Sequence, residues 1–164
     1  MLKGIARVSL TLIAVFAVSL TFAQDWYFGG GFSGVTEFDN DVVPMATMQA
    51  GTNLASNFGF RASVDTQFND AMVNADVMYN IIFPESSDFG GVGYIGLGPS
   101  GNFANITEDM TFEPGLHATL GVEARQDNFG VFAELQPAVF ASDLADIETY
   151  QVGACLRMGL NIHF

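Results

Sequence analysis

Strict alternation over the last fifteen residues, charges confined to one face of that alternation, and eight strand-length segments parted by turn clusters predict the fold class. It is all-β: an eight-stranded antiparallel up-and-down barrel that crosses a membrane. The closing segment is the plainest case. Tyr150, Val152, Ala154, Leu156, Met158, Leu160, Ile162 and Phe164 alternate with Gln151, Gly153, Cys155, Arg157, Gly159, Asn161 and His163. Side chains along a strand point to opposite faces in turn, so one face of this strand is apolar and the other is not.

The first strand covers about 25 to 34, with Trp26, Phe28 and Phe32 on one face beside Gly30. The second, about 44 to 54, has the weakest pattern, since Ala46, Met48, Ala50 and Leu54 are only mildly apolar. In the third, Phe58, Phe60, Ala62 and Val64 alternate with Gly59, Arg61, Ser63 and Asp65. In the fourth, Val73, Ala75, Val77, Tyr79, Ile81 and Phe83 alternate with Asn74, Asp76, Met78, Asn80 and Ile82. The fifth, about 89 to 99, is rich in glycine and its facing is open. The sixth sets Phe112, Pro114, Leu116, Ala118, Leu120, Val122 and Ala124 against Glu113, Gly115, His117, Thr119, Gly121, Glu123 and Arg125. The seventh, about 129 to 140, sets Phe129, Val131, Ala133, Leu135 and Val139 against Gly130, Phe132, Glu134 and Gln136.

Alternation alone allows a soluble barrel with an apolar inside or a membrane barrel with an apolar outside. The charges choose between them. Arg61, Arg125 and Arg157 lie on the polar face, as do Asp65, Asp76, Glu113, Glu123 and Glu134. An eight-stranded barrel has room inside only for side chains, so long charged groups there must pair. The seventh and eighth strands, joined through a loop at 141 to 148, bring Glu134 beside Cys155 or Arg157, and Glu134–Arg157 is the first lumen ion pair expected. Aromatics near strand ends (Trp26, Tyr27, Phe58, Phe83, Phe89, Phe112, Phe129, Tyr150, Phe164) are expected at headgroup depth.

Ahead of the strands, Lys3 and Arg7 precede an apolar run from Val8 to Val18, and Thr21-Phe22-Ala23 offers a cleavage site. Residues 1–23 read as a signal peptide, too short in its apolar part to span a bilayer, and residues 24–164 as the barrel domain. Cleavage leaves three arginines against 18 acidic side chains, a formal −15, which excludes the basic footprint that nucleic acid requires. The single Cys155 allows no intrachain disulfide. Connections at 55–57, 84–88 and 126–128 are tight, whereas 35–43, 100–111 and 141–148 are longer, with a brief one at 68–72. Short turns belong on the periplasmic side of an outer-membrane barrel, so both chain ends are placed there.

Over residues 24–164 the chain resembles the small eight-stranded outer-membrane barrels of the OmpX and OmpA transmembrane-domain kind. The likeness rests on the signal peptide, the strand count and the ending Leu156-Arg157-Met158-Gly159-Leu160-Asn161-Ile162-His163-Phe164. It implies an outer-membrane location, lipid and lipopolysaccharide as surroundings, a monomer, and Phe164 as part of the assembly signal read by the barrel-assembly machinery. A peptidoglycan-binding domain, present in full-length OmpA, has no residues here.

Other motifs carry less. Gly91-Val-Gly93-Tyr-Ile-Gly96 and Gly96-Leu-Gly98-Pro-Ser-Gly101 mimic a dinucleotide fingerprint without the helix it needs. Such glycines suit a bending strand better. His117 with Thr119 resembles the His-x-Ser pair of outer-membrane lipid A deacylases, but with Thr for Ser and an inward face, where a lipid substrate does not reach. The acidic loop residues Glu37, Asp39, Asp41, Glu108, Asp109, Asp143, Asp146 and Glu148 read as a solvated surface, with divalent bridging to neighbouring anionic lipids or loops as the alternative, and the spacing Asp39-Asn-Asp41 is too sparse for a calcium loop. Asn105-Ile-Thr107 is a chance glycosylation match. No cofactor is expected. The sequence therefore points to a filled barrel with a structural or surface-interaction role and no catalysis, with a narrow solute channel as the alternative and a lipid A-modifying enzyme behind it.

Overall fold

A computed structural model of the chain describes residues 25–37, 42–55, 57–86, 89–143 and 146–164. The signal-peptide segment, Asp39 and Asp41 lie outside them. Eight strands run in chain order: β1 (Asp25–Glu37), β2 (Val43–Ala55), β3 (Phe58–Gln67), β4 (Asp70–Ser86), β5 (Phe89–Ala104), β6 (Thr111–Gln126), β7 (Phe129–Ala141) and β8 (Tyr150–His163). Each pairs antiparallel with the next, and β1 pairs with β8, so the sheet closes into a barrel with no free edge. Closure satisfies every strand's neighbour on both sides, which a backbone surrounded by hydrocarbon demands.

The apolar face points outward. Phe28, Phe32, Leu97, Leu116, Leu120, Val131, Leu156, Met158 and Leu160 are each more than half exposed, while Arg61, Asp65, Asp76, Glu134 and Arg157 are almost completely buried inside. In water this arrangement would strand the hydrophobic surface and desolvate the charges together; next to lipid it is the stable one.

The glycine-rich β5 resolves with Val92, Tyr94 and Ser100 inward and Ile95 and Leu97 outward. It also runs to Ala104, so the expected connection at 100–111 shrinks to 105–110. Gly98-Pro99-Ser100-Gly101 has the composition of a turn yet lies within the ladder. Its proline faces out, and the β4–β5 pairing steps from Asn74↔Ser100 to Val77↔Leu97 around it, as a residue without an N–H requires. β1 likewise extends to Glu37, past the expected 34.

One girdle assignment is corrected. Tyr27 is not at the lipid surface but points inward, its ring 5.4 Å from that of His163. Gly51 lies opposite it in β2, and a Cβ there would run into the Tyr27 ring. Tyr94 over Gly121, its partner in β6, repeats the device. Phe58, Phe83, Phe112, Phe129, Tyr150 and Phe164 do face outward; the side chain of Phe89 lies outside the described residues.

The seam between the chain ends is tied by Phe164, whose N–H donates to the Trp26 carbonyl at 2.8 Å while Trp26 N–H donates back at 3.4 Å. Asp127-Asn128 makes the tight β6–β7 hairpin, with Asp127 at a φ of 51°, the conformation such two-residue turns need and Asp tolerates.

Candidate functional site

Period-two alternation on all eight strands delivers polar side chains to one enclosed space, and the lumen is where they meet. Glu134 on β7 lies directly opposite Arg157 on β8. Their closest charged atoms, Arg157 Nη1 and Glu134 Oε2, are 3.8 Å apart. Arg157 makes a tighter contact across the lumen with Asp65 of β3: Nε donates to Oδ1 at 2.9 Å and Nη2 to Oδ2, while Nη1 donates to Ser63 Oγ at 3.0 Å. A guanidinium fork matches a carboxylate edge, so the long arginine side chain reaches past its neighbour to the bidentate partner. Asp65 also accepts from Thr47 Oγ1 at 2.5 Å.

Glu134 is held instead by Arg61, whose Nη1 donates to Oε1, and by the Tyr94 hydroxyl, which donates to the same oxygen at 2.6 Å. Arg61 Nε donates to Asp76 Oδ2 at 3.1 Å, and its other nitrogens reach Gln49 Oε1 at 3.3 Å and Thr119 Oγ1 at 3.2 Å. Its guanidinium carbon lies 5.9 Å from the centre of the Tyr94 ring. Two arginines and three carboxylates thus form one layer across the barrel, each charge paired and hydrogen-bonded, the condition under which buried ions persist.

The remaining expected lumen charges sit toward the ends. Glu123 accepts from Asn161 Nδ2 at 2.6 Å and Arg125 Nε at 2.5 Å, and lies 2.7 Å from His163 Nε2. Arg125 is partly exposed near Asp25, at 3.6 Å. Glu113 is half-buried toward the opposite mouth, where it accepts from Asn102 Nδ2 at 3.2 Å. These groups are near the central layer but not part of it.

His117 is buried and faces inward, between Asp76 (Nε2 to Oδ1, 2.8 Å) and Ser100 (Nδ1 to Oγ, 2.7 Å). A serine, a histidine and an aspartate in contact resemble a nucleophile with its base and orienting acid. The hydrogen bonds run differently. Ser100 donates its hydroxyl to Asn74 Oδ1 at 2.7 Å, so its proton is not presented to His117, and Asp76 is shared with Arg61 and Thr119. Thr119 bonds to Asp76 and not to the histidine beside which it was read. Sequence reasoning missed Ser100 because its neighbours have the composition of a turn, and missed Tyr94 because the facing of β5 was open. Among the described residues no three His, Cys, Asp or Glu side chains cluster so as to hold a metal ion.

No protein-family model matches the sequence, and no curated protein matches it. Solved structures do. The N-terminal β-barrel domain of Pseudomonas aeruginosa OprF superposes with a TM-score of 0.56 at 16% identity, over 87% of this chain and 98% of that one. Neisserial surface protein A gives 0.55 at 12% identity, over 85% and 96%. This chain has the fold of the small outer-membrane barrels. The outer membrane protein OprG from Pseudomonas aeruginosa adds a third such match, 0.52 at 15% identity over 87% and 96%. At these identities the shared property is the barrel itself, which fits the outward apolar face and the charged lumen.

Proposed function

We propose that this chain is a small integral outer-membrane protein, exported through cleavage before Gln24, whose lumen is sealed and whose role is structural or one of surface interaction. The observation that carries the reading is the central layer: Arg61, Arg157, Asp65, Asp76 and Glu134 lie at or below 3% exposure inside a band of outward apolar side chains. Ordered charges that satisfy one another leave no continuous water path, and a lipid-facing wall leaves outer-membrane lipid and lipopolysaccharide as surroundings. A narrow solute channel is the second reading, favoured by small recesses on either side of that layer, one beside Arg61 and Tyr27 and another beside Met72 and Cys155.

In producing cells the mature chain is expected to start at Gln24, to fractionate with outer membranes, and to migrate faster on gels before boiling than after. Recovery from the soluble periplasm would overturn the reading. Phe164 is proposed to be read by the barrel-assembly machinery; its side chain is 77% exposed while its backbone ties the β1–β8 seam. Phe164→Asp is therefore expected to lower the inserted fraction several-fold, measured as heat-shifted protein in membranes, whereas His163→Gln has a smaller effect. Normal insertion of Phe164→Asp would show that the terminal aromatic is not used.

A further inference from the structure

Arginines and carboxylates alone do not balance the charge of the central layer. Arg61 and Arg157 face three buried acids, Asp65, Asp76 and Glu134. In an enclosed layer bulk water cannot solvate the extra negative charge, which makes an uncompensated carboxylate costly. Among the described residues one further group in contact with the layer can become a cation. It is His117 of β6, buried, with Nε2 2.8 Å from Asp76 Oδ1.

Hydrogen bonds on both sides of the ring fix its protons. Asn74 lies between Asp65, held ionised by the Arg157 fork, and Ser100. Its Nδ2 faces Asp65 Oδ2 at 3.5 Å, and turning the amide over would set a carbonyl oxygen against that carboxylate. Asn74 Oδ1 therefore faces Ser100 Oγ, at 2.7 Å, and takes the one proton of that hydroxyl. Ser100 Oγ is left as an acceptor toward His117 Nδ1 at 2.7 Å, so Nδ1 must carry a hydrogen. On the other side, Asp76 accepts from Arg61 Nε at 3.1 Å and from Thr119 Oγ1 at 2.8 Å. His117 Nε2 thus meets an ionised carboxylate and must carry a hydrogen as well. A neutral imidazole has a single N–H and cannot donate at both ends.

The surroundings agree with a charged ring. Its partners along the sheet, Gly98 on β5 and Ala138 on β7, carry no charge. Asp76 of β4 is in direct contact, Arg61 of β3 lies beyond Asp76, and Asp65 of β3 lies beyond Asn74. Glu134 of β7 and Arg157 of β8 complete the layer, while Glu113 and Glu123 on β6 itself lie toward the two mouths. With both protons on His117, Arg61, Arg157 and His117 balance Asp65, Asp76 and Glu134.

We propose that His117 carries a proton on both ring nitrogens and is the third cation of the central layer, so that the layer weakens as pH rises and the proton is lost. The inference deepens the reading of a sealed lumen and rests on it only for what the layer does. The folded barrel holds a proton that the unfolded chain releases, so unfolding becomes more favourable with rising pH. The mature chain with His163→Gln, which leaves His117 as its only histidine, is labelled with nitrogen-15 histidine and placed in lipid nanodiscs. Long-range proton–nitrogen NMR spectra at about pH 7 are expected to show both ring nitrogens protonated. Asp76→Asn, which leaves two arginines against two carboxylates, is expected to give one unprotonated ring nitrogen. Glu134→Gln lowers the charge count equally should Asp76→Asn lack the heat-shifted mobility of a folded barrel. Urea unfolding in lipid vesicles between about pH 6.5 and 8.5 gives a second readout. The unfolding constant of the parent is expected to rise by up to about tenfold per pH unit, the limit for one proton, with most of that slope gone in His117→Gln. A neutral ring in the parent, a ring still protonated on both nitrogens in the folded carboxylate variant, or equal slopes with and without His117 would each overturn the proposal. A doubly protonated His117 in a barrel that conducts ions would refute the sealed lumen and leave the third cation standing, whereas a neutral His117 in a silent barrel would refute the cation alone.

Discussion

Replacing Arg157 with Met is expected to cost the barrel about 3–5 kcal/mol, because it leaves Asp65 charged and without a cation in the middle of the lumen. Asp65→Asn alone strands the guanidinium and should cost a similar amount. The double variant should cost clearly less than the two single losses together, since neither charge then remains unpaired. The geometry also ranks the couplings. Arg157 meets Asp65 through two nitrogens, but Glu134 only at 3.8 Å, so the Asp65/Arg157 cycle should show the larger interaction energy and the Glu134/Arg157 cycle the smaller. Urea unfolding of the variants in lipid vesicles, followed by tryptophan fluorescence, measures both. Additive losses for Asp65 and Arg157 would mean that the pair does not interact as drawn.

The second large effect belongs to the neighbouring position. Leu156 is 56% exposed on the outer wall, next to an Arg157 that is fully buried. Leu156→Arg is expected to destabilise the barrel by about 2–4 kcal/mol in a bilayer, the cost of an arginine on the lipid face near the midplane. The same residue type is thus tolerated, and used, one position along and penalised here. Loss of that penalty in a bilayer would place Leu156 in water and remove the lipid-facing wall from the account.

The strands were legible because burial imposes a period of two that few other structures share, and β3, β4, β6, β7 and β8 present the faces their alternation predicts. The facing of β5 and its run past 99 were not, because glycine carries no hydropathy and the Gly-Pro-Ser-Gly stretch has the composition of a turn; pairing with β4 on one side and β6 on the other holds it as strand. Tyr27 was misplaced for a related reason. An aromatic near a strand end suits the headgroup region, and the feature that directs it inward, the small Gly51 opposite, is visible only once the β1–β2 register is known.

For the candidate site, sequence identified which charges share the lumen face and set Glu134 beside Cys155 or Arg157, of which the β7–β8 register selects Arg157. It did not show who holds whom. Those partners lie across the barrel, on strands far apart in sequence, and their meeting depends on strand tilt and on the reach of an arginine. Asp65 with Arg157, separated by 92 residues in the chain, and Arg61 with Glu134, separated by 73, are contacts of this kind.

Conductance across a planar bilayer is the most direct test of the sealed lumen. With the refolded mature chain inserted in known orientation, the paired central layer predicts no resolvable unitary current in the wild type, and leak currents that appear when Arg157→Met or Arg61→Met opens the layer. Stable, uniform single-channel steps from the wild-type protein, persisting after contaminating porins are removed, would contradict a lumen closed by its own charges.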